Sequence, residues 1–168
     1  MEVQVALWLP RDAATAHLIR QVVDASLEGL GVTPDTRTAI TLSLSEACAN
    51  VIQHADNSDE YEVRARVTGD RCVIEVTDTG HGSYAAALDE TTGAAEGEHG
   101  RGLQIIRALV ENLRIEDRSQ QGTTVHFEKS LDWVPGSQAK LLAGNPSGSR
   151  RHVPRRRIAR ELFRGARS

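Results

Sequence analysis

Ile40, Leu44, Ala47 and Val51 recur at helical spacing, while Glu46, Asn50 and His54 recur four residues apart on a different face of the same segment. The apolar stripe has to be buried against a core. The second face then presents a carboxylate, an amide and an imidazole one above another. On spacing alone this triplet reads first as a solvated polar face, and His54 as a structural or capping histidine near a helix end. A chain with this segment needs a layer on one side of the helix and leaves a polar row on the other.

The flanking patterns say what that layer is. Residues 3–9 alternate apolar and polar and read as a strand, stopped by Pro10. Asp12 can cap a helix that carries Leu18, Ile19, Val22, Val23 and Leu27 and stops near Gly29 to Gly31. Thr33-Pro34-Asp35 opens the helix of the stripe, with proline where its missing N–H is not needed. Residues 61–68 and 72–77 alternate around Gly69-Asp70 and read as a β-hairpin. Residues 83–99 are polar and acidic without a period and read as a loop. A helix is expected over 102–113, then a final hairpin of residues 114–118 and 124–131 around Gln120-Gln121-Gly122. The order β-α-α-β-β-loop-α-β-β predicts an α+β fold. We expect a two-layer α/β sandwich with a mostly antiparallel sheet and the helices on one face.

The apolar and charged fractions, 39% and 26% of 168 residues, are those of an ordinary globular chain. No apolar run approaches the roughly 18 residues of a membrane span, and no basic-then-apolar leader opens the sequence. Cys48 and Cys72 have neither metal-ligand nor disulfide-framework spacing, so buried, reduced thiols in a cytoplasmic protein are expected. Charge is segregated. Of 20 basic and 23 acidic residues, eight arginines and Glu161 lie in 150–168, leaving 12 basic against 22 acidic in residues 1–149, a net of −10. An acidic body is a poor nucleic-acid binder. The expected division is a domain over 1–134 and, over 135–168, a Pro/Gly/Ser linker followed by an arginine-rich tail. That tail could form a basic amphipathic helix on an acidic protein, nucleic acid or an anionic membrane, or simply be a solubilising extension.

Two glycine clusters add to the helix face. Asp78-Thr-Gly80-His-Gly82 follows the apolar run Val73-Ile-Glu-Val. Its glycines permit close backbone approach, and Asp78 at a strand end could accept a hydrogen bond from an exocyclic amine such as that of adenine. A plain turn explains the same residues. Gly100-Arg101-Gly102-Leu103 stands at a helix entry, where free N–H groups favour an anion. No GxxxxGK[ST] occurs, and the only lysines are Lys129 and Lys140, so a P-loop mechanism is excluded. His81 and His99 lack the further ligands a structural zinc requires.

In order and spacing, the helix segment, Asp-x-Gly-x-Gly, Gly-Arg-Gly-Leu and Gly122-Thr123-Thr124 resemble the asparagine and glycine boxes of the GHKL, or Bergerat-fold, ATPases. Leu44-Ser-Glu-Ala-Cys-Ala-Asn-Val-Ile-Gln-His-Ala55 is similar to the first box of the RsbW-like anti-sigma-factor serine/threonine kinases. The resemblance covers roughly residues 3–132. It implies ATP and Mg²⁺ as cofactors, with Asn50 as the Mg²⁺ ligand on the ATP phosphates and Glu46 as the catalytic base toward a serine or threonine hydroxyl. It also implies Asp78 on the adenine amino group, Gly80 and Gly82 beside it, and Gly100, Arg101, Gly102 and Leu103 at the phosphates. Thr123 would support the adenine end. The implied partners are a sigma factor and an anti-anti-sigma protein of the STAS type, and the implied assembly is a homodimer. Alternatives are an ATP-sensing binding module with little transfer and a detached histidine-kinase ATPase domain. Ser83-Tyr84-Ala85 departs from the family's pattern after Gly82, and residues 83–99 carry more acid than phosphate binding favours.

Overall fold

The computed structural model describes residues 2–54, 59–78, 98–118 and 122–143. Five strands, β1 (Glu2–Pro10), β2 (Glu60–Thr68), β3 (Arg71–Asp78), β4 (Glu111–Arg118) and β5 (Gly122–Ser130), form one sheet in the order β1-β2-β3-β5-β4. Every neighbouring pair is antiparallel. Four helices complete the described fold: α1 (Ala13–Gly29), α2 (Pro34–His54), α3 (Glu98–Leu109) and α4 (Gln138–Ala143). The α+β two-layer architecture expected from the sequence is the one observed.

Strand alternation builds the layers. Tyr61 and Val63 on β2, Cys72, Ile74 and Val76 on β3, and Val125 and Phe127 on β5 are all buried on the face that meets the helices. The intervening Arg64, Arg66, Glu75, His126 and Glu128 lie on the opposite, open face. There Arg71 bridges Glu128 at 3.0 Å and Glu111 at 3.4 Å. Ion pairs on an exposed face add little to stability, so the sheet is held by its inner face.

From α1 come Ile19, Val23 and Leu27, and from α2 Ile40, Leu44, Ala47 and Val51, all in one core cluster. Each large aliphatic side chain buried there contributes about 2 kcal/mol. Asp12 caps α1 by accepting from the Ala14 amide at 2.7 Å. At the hairpin between β2 and β3, Gly69 takes φ +62°, which glycine adopts without steric cost.

Three boundaries differ from expectation. Helix α3 begins at Glu98 and ends at Leu109, about a turn N-terminal of the expected 102–113. Strand β4 accordingly starts at Glu111, with a register shift between Glu111 and Arg114 and Asn112 at φ +51°. Ordered structure also continues past the expected boundary at 134. Trp133 bridges Val32, Ser137 Oγ donates to the Leu30 carbonyl at 2.8 Å, and α4 follows with Ala139 buried. Of the expected tail over 135–168, residues 144–168 lie outside the described residues, as do Gln120 and Gln121 of the expected turn and residues 83–97 of the expected 83–99 loop.

Candidate functional site

Burial of Ile40, Leu44, Ala47 and Val51 fixes how α2 is rotated about its own axis. With that stripe on the sheet, Glu46 and Asn50 turn toward α3. They meet it at Gly102. A Cβ built on Gly102 would stand 2.7 Å from Glu46 Oε2, 3.7 Å from Asn50 Oδ1 and 3.8 Å from Asn50 Nδ2. The missing side chain therefore makes room for the Glu46 carboxylate, with the Asn50 amide in van der Waals reach beside it. Leu103 and Ile106, at 4% and 0% exposure, anchor α3 against the core directly behind this contact.

Because α3 starts at Glu98, the amides of residues 98–100 have no intrahelical acceptor. Gly100 and Arg101 thus lie in the first turn of the helix, and Gly102 and Leu103 follow just inside it. The Arg101 side chain and the His54 side chain lie outside the described residues, as do Gly80 and Gly82.

The second group gathers at the end of the central strands. Asp78 is the last residue of β3, continues its inward alternation, and is 2% exposed. Tyr61 pairs with it from β2. On the other side Thr77 pairs with Thr124, their hydroxyls 3.2 Å apart, which puts Thr123 level with Asp78 on β5. Helix α2 packs over both β3 and β5, so the two groups occupy adjoining elements.

Two buried polar atoms here have no hydrogen-bond partner in the structure: Asn50 Nδ2 and Thr123 Oγ1. Leaving such an atom unpaired costs about 1–3 kcal/mol, so each buried orphan calls for a partner such as a water, an ion or a ligand. One lies in each group. An amide beside a carboxylate, with a glycine leaving room between them, fits a phosphate-bound divalent ion that takes oxygen ligands. Among the described residues no three His, Cys, Asp or Glu side chains could hold a metal by themselves. An ion here would need the oxygens that a polyphosphate brings.

Sequence reasoning singled out neither Tyr61 nor Arg11. Tyr61 is fully buried, and its hydroxyl lies 2.9 Å from Thr15 Oγ1 while also contacting Cys48. Burial pushes this phenol up to about 12, and likewise the Cys48 and Cys72 thiols. Both cysteines are free. The available signal was an aromatic at an inward position of an alternating strand. Arg11 reaches across to α2 and left no periodic signal.

Two concavities elsewhere contain none of these groups. One of about 190 Å³ lies on the open sheet face beside Arg64 and Arg66, and one of about 400 Å³ lies between α1 and α2 beside Arg20 and Arg37. Convergent buried polar atoms, not volume, mark the site.

The family model for the histidine kinase-like ATPase domain matches residues 9–129. The chain belongs to that family. This match takes in β2 to β4, nearly all of β5 and the helices that carry Glu46, Asn50 and Gly102, and begins at the end of β1. Within the family, the chain is 25% identical over 139 residues to the serine-protein kinase RsbW of Bacillus velezensis, covering 76% of this chain and 86% of that protein. It is 26% identical over 139 residues to the RsbW of Bacillus subtilis, with the same coverage. With the RsbW of Halalkalibacterium halodurans the identity is 27% over 136 residues, covering 76% and 83%. The crystal structure of the RsbU and RsbW domains of a Mycobacterium tuberculosis protein superposes with a TM-score of 0.60 at 22% identity. That match takes in 77% of this chain and 32% of the larger one, and it concerns the fold alone.

Proposed function

We propose that this chain is an ATP-dependent serine/threonine protein kinase that works by partner switching. It would phosphorylate an anti-anti-sigma protein of the STAS type and, in its other state, sequester a sigma factor as a homodimer. Support comes from the relatives named serine-protein kinases RsbW. The observation that carries the reading is the seat at Gly102, where the Glu46 carboxylate and the Asn50 amide face one glycine of α3.

In this reading Asp78 accepts a hydrogen bond from the adenine amino group, and Thr123 gives its unpaired hydroxyl to the same end of the nucleotide. Asn50 would hold a magnesium ion on the ATP phosphates, and that ion would supply neutralisation of their charge. The amides of residues 98–100 would receive phosphate oxygens. Glu46 takes the proton of the protein hydroxyl as its oxygen bonds to the γ-phosphorus. The bond from that phosphorus to the β-phosphate oxygen breaks, and ADP leaves. The glycine seat leaves Glu46 room for this exchange.

Incubation of the purified chain with labelled ATP, magnesium and candidate STAS proteins from the same genome tests the proposal. Transfer to a serine or threonine is expected, with a Glu46→Gln variant slowed by about a hundredfold while still binding ATP. Normal ATP binding without transfer to any antagonist would reject the kinase reading and leave an ATP-sensing module.

A further inference from the structure

Arg11, the first residue after β1, places its guanidinium on the last turn of α2. Its Nε and Nη2 donate to the Ile52 carbonyl at 3.1 Å and 2.9 Å, across 41 residues of sequence. Ile52 contributes one of the four C-terminal carbonyls that a helix of these bounds leaves without an intrahelical donor. A cation there also suits the helix dipole, and the two-donor fork fixes direction as well as distance. The Arg11 amide donates to the Asp59 carbonyl at 2.9 Å, just ahead of β2.

Those contacts join two parts of the candidate site. Ile52 lies two residues from Asn50, on the helix that also carries Glu46. On the sheet side, Leu9 pairs with Tyr61 and Tyr61 pairs with Asp78, so the end of β1 is two strands from the other group. Thr15 strengthens the same corner: its Oγ1 donates to main-chain carbonyls of Pro10 and Asp12 and lies 2.9 Å from the Tyr61 hydroxyl. One arginine thus ties the terminal turn of the helix to the ends of the strands.

We infer that Arg11 is a positioning residue for the phosphate end of the nucleotide site: it holds the last turns of α2, and with them Asn50, at a fixed distance from the Asp78 end. This rests on the ATP-binding reading above. Loss of the fork lets the last turn shift, so recognition of the triphosphate suffers while the adenine contacts, which sit on the sheet, persist.

The test is competition of ATP and of adenosine against a fluorescent ATP analogue, with magnesium, on the full chain and its Arg11→Gln and Arg11→Lys variants. In Arg11→Gln we expect ATP to bind about tenfold more weakly and adenosine to stay within about twofold. Arg11→Lys should fall between, since it keeps the charge and loses the fork. Equal weakening of both ligands, or weakening of neither, overturns the proposal. Should Arg11→Gln fail to fold, the ratio of ATP to adenosine losses in Arg11→Lys decides by itself. A wild-type chain that binds no ATP removes the nucleotide reading and this one with it, whereas wild-type binding with unselective variants removes only the role of Arg11.

Discussion

Glu46 holds Oε2 2.7 Å from the point that a β-carbon on Gly102 would occupy. Glycine inside a helix costs about 0.8–1.0 kcal/mol relative to alanine. Propensity alone therefore favours Gly102→Ala. The close carboxylate opposes it, because the side chain of Glu46 must move aside. We predict that Gly102→Ala leaves the melting temperature unchanged or higher while phosphoryl transfer falls by about a hundredfold. A thermal melt and a transfer assay on one preparation check both signs.

Thr123 Oγ1 is buried without a partner. Thr123→Val removes that unpaired hydroxyl and should stabilise the nucleotide-free protein by about 1 kcal/mol. Nucleotide titration of the same variant should show weaker ATP binding. Lowered stability with unchanged affinity would mean that the hydroxyl serves packing instead.

The Cys48 and Cys72 thiols ordinarily titrate near 9.0 and the Tyr61 phenol near 10.0, and burial pushes all three up to about 12. The folded state therefore keeps protons that the unfolded chain has released. Stability from these groups is complete below about pH 9 and is lost as the pH climbs toward about 12. Urea midpoints should fall between about pH 8 and about pH 11, and less steeply in a Cys48→Ala/Cys72→Ala variant. Alkylation near neutral pH should modify both thiols only on unfolding.

Gly31 has φ +81°, and a Cβ there would lie 2.7 Å from Ser137 Oγ. Gly31→Ala is therefore strained twice and should cost about 1–2 kcal/mol, measurable by urea unfolding. Truncation from residue 135 should lower the same midpoint, because the bond from Ser137 to Leu30 and the buried Ala139 are lost.

The stripe Ile40, Leu44, Ala47 and Val51 was readable because α2 is long enough to repeat its period several times. The hairpin at Gly69-Asp70 was readable because alternation and turn chemistry agree there. Helix α3 starts a turn earlier than its sequence suggests because glycines 100 and 102 look like an entry, while the second lies inside the helix in close approach to Glu46. Asn112, the second residue of β4, takes φ +51° where an apolar period suggested more helix. Six residues of α4 are too few to show a period, and contacts with Leu30 hold them in place. Of the site, Glu46, Asn50 and Asp78 were visible as residue types at box spacing. The brace from Arg11 to Ile52 spans 41 residues and has no local signature.

Calorimetric titration of ATP with magnesium into the wild-type chain and into Asp78→Asn tests the account most directly. Asp78→Asn keeps the shape of a side chain that is 2% exposed and replaces one acceptor with a donor, where the proposed adenine amino group needs an acceptor. The account predicts saturable binding to the wild type and at least about tenfold weaker binding to a variant that still melts cooperatively. Equal affinity in the two folded proteins would contradict it.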